Sequence, residues 1–372
     1  MKKICISFLG NPFHDSRITN LKKSLEENNC KVKVIGFDWT TPDFKTYRDD
    51  DTVVYKLRKT KFSLWFYGTF KLLLLFELFK VRADIYFAEE IYSLPYVKFR
   101  TFFGKGKVYY NSRELYAFLG GLRNRKFIQK IFTFIEKILI HQVDLVLTTG
   151  EMDSDFLFNF YGIKNTLVIR NIPKLKTPDK KINLHEKLSI DSNTKILLYQ
   201  GVLIDGRGIE LVIENLPKIK NAVFVLLGDG ERKLKWKKYA EELNVPEQVF
   251  FLGTVPQDEL INYTAAADLG ICLIENISIS YYHALPNKLF EYIMAGLPVV
   301  SSALPQMKQI VDKYSVGECI DIESNKNIAD LINNMLSDSN KLEKYKSNCK
   351  QAAKELNWDV EFEKAKNKLI DF

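Results

Sequence analysis

The 372-residue chain lacks any paired-cysteine or cysteine–histidine spacing. Cys5, Cys30, Cys272, Cys319 and Cys349 are scattered, which excludes a zinc ribbon and a disulfide scaffold and points to a reducing compartment. An uninterrupted spanning segment of about 20 apolar residues is also missing. The leucine run Leu72–Leu75 is bounded by Lys71, Glu77 and Lys80. Met1-Lys2-Lys3 leads straight into ICISFLG without a long apolar region or a small-residue cleavage site, so no secretory signal is read and a cytoplasmic protein is expected. Neither GxGxxG nor GxxxxGK[ST] occurs after a strand, which argues against a nicotinamide enzyme and a P-loop ATPase. No Asp-x-Asp pair follows a strand in the second half, so no metal site is expected.

Charge and apolar residues are present in a telling arrangement. Residues 1–172 hold 28 basic and 18 acidic side chains, whereas residues 173–372 hold 26 and 28. Within the first half, residues 56–137 hold 17 basic and 6 acidic side chains, mixed with SLWFYGTFKLLLLFELFK and RNRKFIQKIFTFIEKIL. Basic sequence interleaved with aromatic and leucine residues suits an anionic membrane surface. It belongs to no recognised nucleic-acid module, so no nucleic-acid partner is expected.

Along the chain, short apolar runs alternate with helical spacing such as Ile18, Leu21 and Leu25. KICISFLG, KVKVIGF, TVVYKL, ADIYFA, KVYYN, DLVLTTG and TLVIRN read as strands of the first half. KILLYQG, AVFVLLG, QVFFLG, DLGICL, PVVSS and GECID read as strands of the second. Strands apolar on both faces and alternating with helices predict two doubly wound α/β domains with parallel sheets. The proline- and lysine-rich NIPKLKTPDKK marks the linker. Expected domains are 1–172 and 173–354, with a helix over about 355–372 packing back on the first. Ligands of such sheets bind beyond the carboxyl ends of strands.

Five loops there carry the candidate residues. Gly10 and Asn11 follow the first strand, where glycine lets backbone amides approach a ligand, or simply makes a tight turn. Gly201, Gly206 and Gly208 surround Arg207 at a helix start, a setting that attracts phosphate. Gly228-Asp229-Gly230 and Gly253-Thr254-Val255 are glycine turns after strands. In PNKLFEYIMAGLP, Pro286 suits a first helical position and Gly296 and Pro298 a helix end. Lys288 and Glu291 lie three apart, so lysine could neutralise a diphosphate and glutamate bind a ribose diol. Equally, the two could form a surface pair worth about 0.2–0.5 kcal/mol.

The succession GVLxxGRG, GDG, FLG and PNKLFEYIMAGLPVV resembles the retaining, nucleotide-sugar-dependent glycosyltransferases of family four, which have the GT-B fold of two facing Rossmann-like domains. The resemblance implies that Arg207 and Lys288 face a donor diphosphate and act in catalysis, and that Glu291 holds the donor ribose as the second glutamate of an E-x7-E signature. The first glutamate of that signature is replaced by His283. Gly201, Gly206, Gly208, Gly228, Asp229, Asn287 and Leu289 would complete the donor site. On the acceptor side, Tyr110–Leu115 departs from the family's YDSHEL by placing Arg113 where a histidine is usual. Gly10, Asn11, Glu89, Arg113 and Glu114 are the candidates there, with Glu90 as the alternative to Glu89. The implied reaction is sugar transfer by front-face displacement, without a cofactor or metal, from a UDP- or GDP-sugar to a glycan or lipid-linked acceptor in cell-surface polysaccharide synthesis. Closure about 171–181 would exclude water, and residues 56–137 would attach the protein peripherally to the inner face of the cell membrane. The alternatives are another GT-B enzyme, inverting or epimerising, and a catalytically silent relative that binds glycan or membrane.

Overall fold

The computed structural model describes residues 1–59, 63–122 and 124–370. Residues 60–62 and 123 of the basic stretch, and 371–372 of the expected last helix, lie outside it. The chain divides into two units, Met1–Asn171 with Trp358–Phe372, and Ile172–Asn357.

Unit 1 is built on β1 (Lys2–Phe8), β2 (Cys30–Asp38), β3 (Tyr47–Arg48), β4 (Thr52–Lys56), β5 (Ile85–Glu89), β6 (Lys107–Ser112), β7 (Leu145–Thr148) and β8 (Thr166–Val168). Their order is β3-β4-β2-β1-β5-β6-β7-β8. All pairings are parallel except that of β3 with β4, a two-residue edge that the sequence pattern did not reveal. Its helices are α1 (Ser16–Glu27), α2 (Ser63–Lys80), α3 (Glu90–Phe102), α4 (Lys126–Leu139) and α5 (Glu151–Tyr161). Alternation along β1 serves two cores. Ile4, Ile6 and Phe8 pack with Ile18, Leu21 and Leu25 of α1, and Cys5 with Phe70, Leu74 and Leu78 of α2 and with α3. A sheet covered on both faces needs such doubly apolar strands.

Unit 2 carries β9 (Lys195–Gln200), β10 (Ala222–Leu227), β11 (Val249–Gly253), β12 (Leu269–Cys272), β13 (Val299–Ser302) and β14 (Gly317–Ile320). The order is β11-β10-β9-β12-β13-β14, all parallel. The helices are α6 (Leu184–Leu188), α7 (Ile209–Asn215), α8 (Lys233–Glu242), α9 (Leu260–Thr264), α10 (Ile279–Tyr282), α11 (Asn287–Ala295), α12 (Pro305–Tyr314), α13 (Ile328–Ser337) and α14 (Ser339–Ala352). A last helix, α15 (Trp358–Ile370), returns to unit 1. There Trp358, Phe362, Ala365 and Leu369 join the α1 core, and Trp358 Nε1 donates to Ser24 Oγ at 2.9 Å. Burying a side chain such as Leu369 is worth about 1.5–3 kcal/mol.

The strand order positions the sites. In a doubly wound sheet, the loops diverge where the order reverses, and a ligand crevice opens there beyond the carboxyl ends. That reversal falls between β1 and β5 in unit 1 and between β9 and β12 in unit 2.

Glycine is required where these loops crowd each other. A Cβ on Gly228, at φ +135°, would lie 2.0 Å from the carbonyl oxygen of Gly201, whereas one on Gly253, at φ +76°, would meet nothing within 4 Å. Gly228→Ala is therefore expected to destabilise by about 3 kcal/mol or more through clash plus strain, and Gly253→Ala by about 1 kcal/mol through strain alone. Midpoints of denaturant unfolding at unchanged slope check the ranking.

Candidate active site

In unit 2 the site begins at the end of β9, where the apolar strand closes on Gln200. The Gln200 amide is oriented from both ends: its oxygen accepts from Thr264 Oγ1 at 2.8 Å and its nitrogen donates to Glu291 Oε2 at 2.5 Å. Glu291 is half-buried on α11, and burial raises its pKa against the opposing Gln200, Gln257 and Lys288. Tyr292 locks α11 beneath the sheet. Its hydroxyl accepts from Gln200 N at 3.1 Å and donates towards the carbonyls of Leu198 and Ile271 at 3.1 and 3.2 Å. Gly270 makes room for the Tyr292 ring, which a Cβ there would approach to 2.6 Å.

Lys288 is buried, and its ammonium lies 3.6 Å from the centre of the Tyr199 ring and 3.6 Å from where a Cβ on Gly201 would stand. Gly201, at φ +128°, thus leaves open the space beside a cation. Among the described residues Lys288 makes no ion pair or hydrogen bond. Burial brings its pKa down to about 7, and Arg207 contributes in the same direction. Arg207 stacks on Tyr281 at 4.9 Å and likewise has no anionic partner among the described residues. The pairing of Lys288 with Glu291 that the sequence allowed does not form. Two neighbouring cations without a counter-anion, beside an oriented carboxylate, make a site matched to a polyanion carrying hydroxyl donors.

Several expectations change. The backbone amide of Gly208 donates to Glu275 Oε1 at 3.2 Å, so the start of α7 already holds a carboxylate where phosphate was expected. Gly206 and Gly208 are needed for packing, because a Cβ would reach Ile277 and Tyr281 in the first case and Leu273 in the second. Leu289 is a core residue: its side chain is fully buried and its amide is spent on Pro286 O at 3.0 Å. Pro286 caps α11, and Asn287, half-buried, is the first helical residue. Asp229 is exposed, caps Gly230 N at 2.8 Å and pairs with Lys233 at 3.2 Å. His283 ends α10 on the loop leading to α11, and its carbonyl accepts from Gln306 Nε2.

In unit 1 the ends of β1, β5 and β6 meet beneath α1. Arg17 is buried and donates to Ile169 O at 2.9 Å and Asn111 Oδ1 at 3.1 Å. Asn111 in turn donates to both oxygens of Glu89, at 3.0 and 2.8 Å. Glu89 is therefore no acceptor-side ligand: it faces the interior, fully buried, because strand alternation puts it with Ile85 and Phe87 on the α1 side. Glu90, the next residue, opens α3 at φ +69°, a left-handed conformation rare for a side-chain-bearing residue. It is half-buried and has no hydrogen bond or ion pair among the described residues. Burial first, then Glu89, Glu114 and Asp15, raise its pKa to about 7 against the pull of Arg113. Strain of about 1–3 kcal/mol at such a residue persists only where surrounding structure enforces it.

Arg113 donates to Asp15 Oδ2 at 2.7 Å and lies over the Phe8 ring at 5.2 Å, and its Nη1 is buried without a hydrogen-bond partner. Asp15 Oδ1 also caps α1 through Ile18 N at 2.9 Å. Glu114 is exposed. Gly10 and Asn11 serve the scaffold instead of a ligand. Gly10 O accepts from Phe37 N at 2.9 Å, and a Cβ on Gly10 would strike the Phe8 ring. The Asn11 amide is spent on Asp38 Oδ2 at 2.7 Å and Phe13 N at 3.0 Å. Sequence reasoning misses Gln200, Thr264, Glu275 and Arg17. Only Gln200 carries a signal that could have found it, a polar residue ending the apolar strand KILLYQ; Thr264, Glu275 and Arg17 lie on helices and a loop with no such mark.

Comparison with known proteins bears on both units. Residues 180–355 match the family described as Glycosyl transferases group 1. An uncharacterised glycosyltransferase of Methanocaldococcus jannaschii is 28% identical over 185 residues, 49% of this chain and 46% of that protein. The lipopolysaccharide core biosynthesis glycosyltransferase LpsE of Rhizobium meliloti is 26% identical over 153 residues, 41% of this chain and 43% of LpsE. The chain thus spans under half the length of either relative. Sucrose-phosphate synthase of Thermosynechococcus elongatus superposes with TM-score 0.81 at 16% identity over 99% of this chain and 98% of its own. HepE of Anabaena, solved in complex with UDP, superposes with TM-score 0.75 at 16% identity over 100% of both chains. The two Rossmann-like units have the GT-B fold, and residues 180–355 carry the match to the group 1 glycosyltransferases.

Proposed function

We propose that the protein transfers a sugar from a nucleoside-diphosphate sugar to a hydroxyl of a glycan or lipid-linked acceptor, with retention at the anomeric carbon. The observation that carries this reading is the buried ammonium of Lys288, unpaired beside Arg207 and the open flank of Gly201. A diphosphate supplies the missing anion. The Gln200-oriented carboxylate of Glu291 accepts from the ribose hydroxyls. That HepE is solved with UDP, and LpsE acts in lipopolysaccharide core synthesis by name, supports a UDP-sugar donor and a role in surface glycan assembly.

In the reaction the anomeric C–O bond to the β-phosphate breaks and a bond to the acceptor oxygen forms on the same face. The acceptor proton passes to the departing phosphate oxygen, so charge is conserved without a protein nucleophile. Lys288 and Arg207 stabilise the charge that develops on that phosphate, an electrostatic role worth about 10²–10³ in rate for one well-placed donor. Glu90, with Arg113 beside it, takes the acceptor-side role expected of Glu89, holding the attacking hydroxyl.

A thermal-shift screen of nucleoside diphosphates and nucleotide sugars, with and without EDTA, tests the donor assignment. One base is expected to stabilise wild type by about 2.7 kcal/mol at a hundred times its dissociation constant, with or without chelator. Glu291→Ala, which removes two charged hydrogen bonds, should bind at least tenfold more weakly and show a reduced shift. An undiminished shift in that variant contradicts the ribose role. NMR of the product then reads the anomeric configuration, and inversion would overturn retention.

A further inference from the structure

We infer that α2, the end of α3 and α4 form a docking face for an anionic lipid bilayer. The sequence suggests a basic membrane-facing stretch, and the structure resolves it into helices with two apolar sides. On α4, Phe132, Ile135 and Leu139 pack inward on the unit 1 core. Phe127, Ile131, Phe134 and Ile138, at intervals of four, three and four, form a second stripe that points outward, with Phe127 76% and Phe134 66% exposed. The core therefore accounts for three of the helix's eight apolar residues. The same holds on α2, where Phe70, Leu74 and Leu78 are buried and Trp65, Leu72 and Phe76 are not. Phe79 of α2 meets Phe99 of α3 at 6.3 Å and Phe103, which follows that helix, at 6.1 Å, joining the two helices into one aromatic surface. Scattered exposed apolar residues need no explanation, but stripes repeated on neighbouring helices do.

Charge selects the occupant. Lys126, Lys130 and Lys137 flank the α4 stripe, are exposed, and have no acidic partner among the described residues. The one acid of α4, Glu136, is turned inward between the hydroxyls of Tyr110 and Tyr161, at 2.6 and 2.9 Å. On α2, Glu77 is held by Arg48 and Lys80 at 2.7 and 3.0 Å, while Lys71 stays exposed. The face thus presents apolar side chains and uncompensated lysines, the composition of a helix lying in the headgroup region of an anionic membrane. Among the described residues no helix is long and apolar enough to cross one. A second copy is disfavoured as occupant because it would oppose two basic faces. This inference does not depend on the sugar-transfer reading.

Co-sedimentation of the full chain with phosphatidylcholine vesicles, alone or mixed equally with phosphatidylglycerol, tests it. Binding to the anionic vesicles is expected, at least tenfold weaker to phosphatidylcholine alone or in 0.5 M NaCl. Phe127→Ser with Phe134→Ser should weaken it at least tenfold at unchanged melting temperature and nucleotide response, and Lys126→Gln with Lys130→Gln should narrow the preference for anionic vesicles. Should the phenylalanine variant misfold, wild-type tryptophan emission provides a second reading: a blue shift on adding anionic vesicles that Trp65→Phe removes. Absent binding to anionic vesicles, binding indifferent to the phenylalanine change, or a dimer by light scattering that this change dissociates without any vesicle binding would overturn the inference.

Discussion

Lys288→Met should cripple transfer while making the protein harder to melt. Lys288 is buried without an anionic partner, and its pKa falls from 10.5 to about 7. Burying that charge works against folding, and an apolar side chain of similar length removes the cost. The sign follows from linkage. The folded state holds the proton more weakly than the unfolded one, so the penalty is full below pH 7 and fades as pH rises from 7 to 10.5. The variant should gain about 1–3 kcal/mol at pH 6 and less at pH 9, which melting curves at the two pH values read directly. Its loss in turnover should be about 10²–10³-fold. A variant that melts lower and still turns over would show that Lys288 is a structural residue.

Glu90→Gln should remove the acidic limb of the pH–rate profile. With a pKa of about 7, Glu90 becomes a carboxylate as pH rises through neutrality, whereas free Lys288 loses its proton over the same range. For wild type kcat/KM should be bell-shaped about pH 7. For kcat only the acidic limb should remain, because bound diphosphate holds the proton on Lys288. Glu90→Gln should lower kcat by about 10²-fold, the size expected when a charged hydrogen bond that holds the attacking hydroxyl becomes a neutral one. The folded carboxyl titrates above its unfolded value of 4.5, so its penalty is absent below pH 4.5 and grows towards pH 7. The variant should therefore gain stability at pH 8 and none at pH 4. Glu90→Gly, which relieves φ +69°, should also be more stable, by about 1 kcal/mol, yet no more active. Full activity in Glu90→Gly would reduce the residue to a strained turn.

These two residues also mark where the sequence could and could not be read. Doubly apolar strands alternating with helices announce parallel sheets, and the residues after each strand announce the site, because topology alone puts ligands there. PNKLFEYIMAGLP was legible for the same reason, since its cap, short length and stop are local. Glu89 against Glu90 was not legible. The choice turns on which side of β5 the α1 core covers, where Asn111 from the neighbouring strand holds Glu89, and on one left-handed backbone angle at Glu90 that its residue type does not announce. Leu289 looked like a ligand by its neighbours, yet lies on the core side of α11. The occupation of the α7 start by Glu275 and the spending of the Asn11 amide on Asp38 are contacts across 67 and 27 residues, beyond any local pattern. The second stripe of α4 was visible as composition, but only burial shows that it is surplus to the core.

The most direct test is a calorimetric titration of UDP and GDP into wild type at pH 8, in HEPES and in Tris with EDTA. Lys288 is then mostly neutral, and a diphosphate seated against it should draw a proton back. We expect one of the two nucleotides to bind with uptake of close to one proton, read from the difference in heat between the buffers, and Lys288→Met to bind it at least tenfold more weakly without uptake. Binding of neither nucleotide, or binding with no proton exchanged, would contradict a diphosphate site built on Lys288.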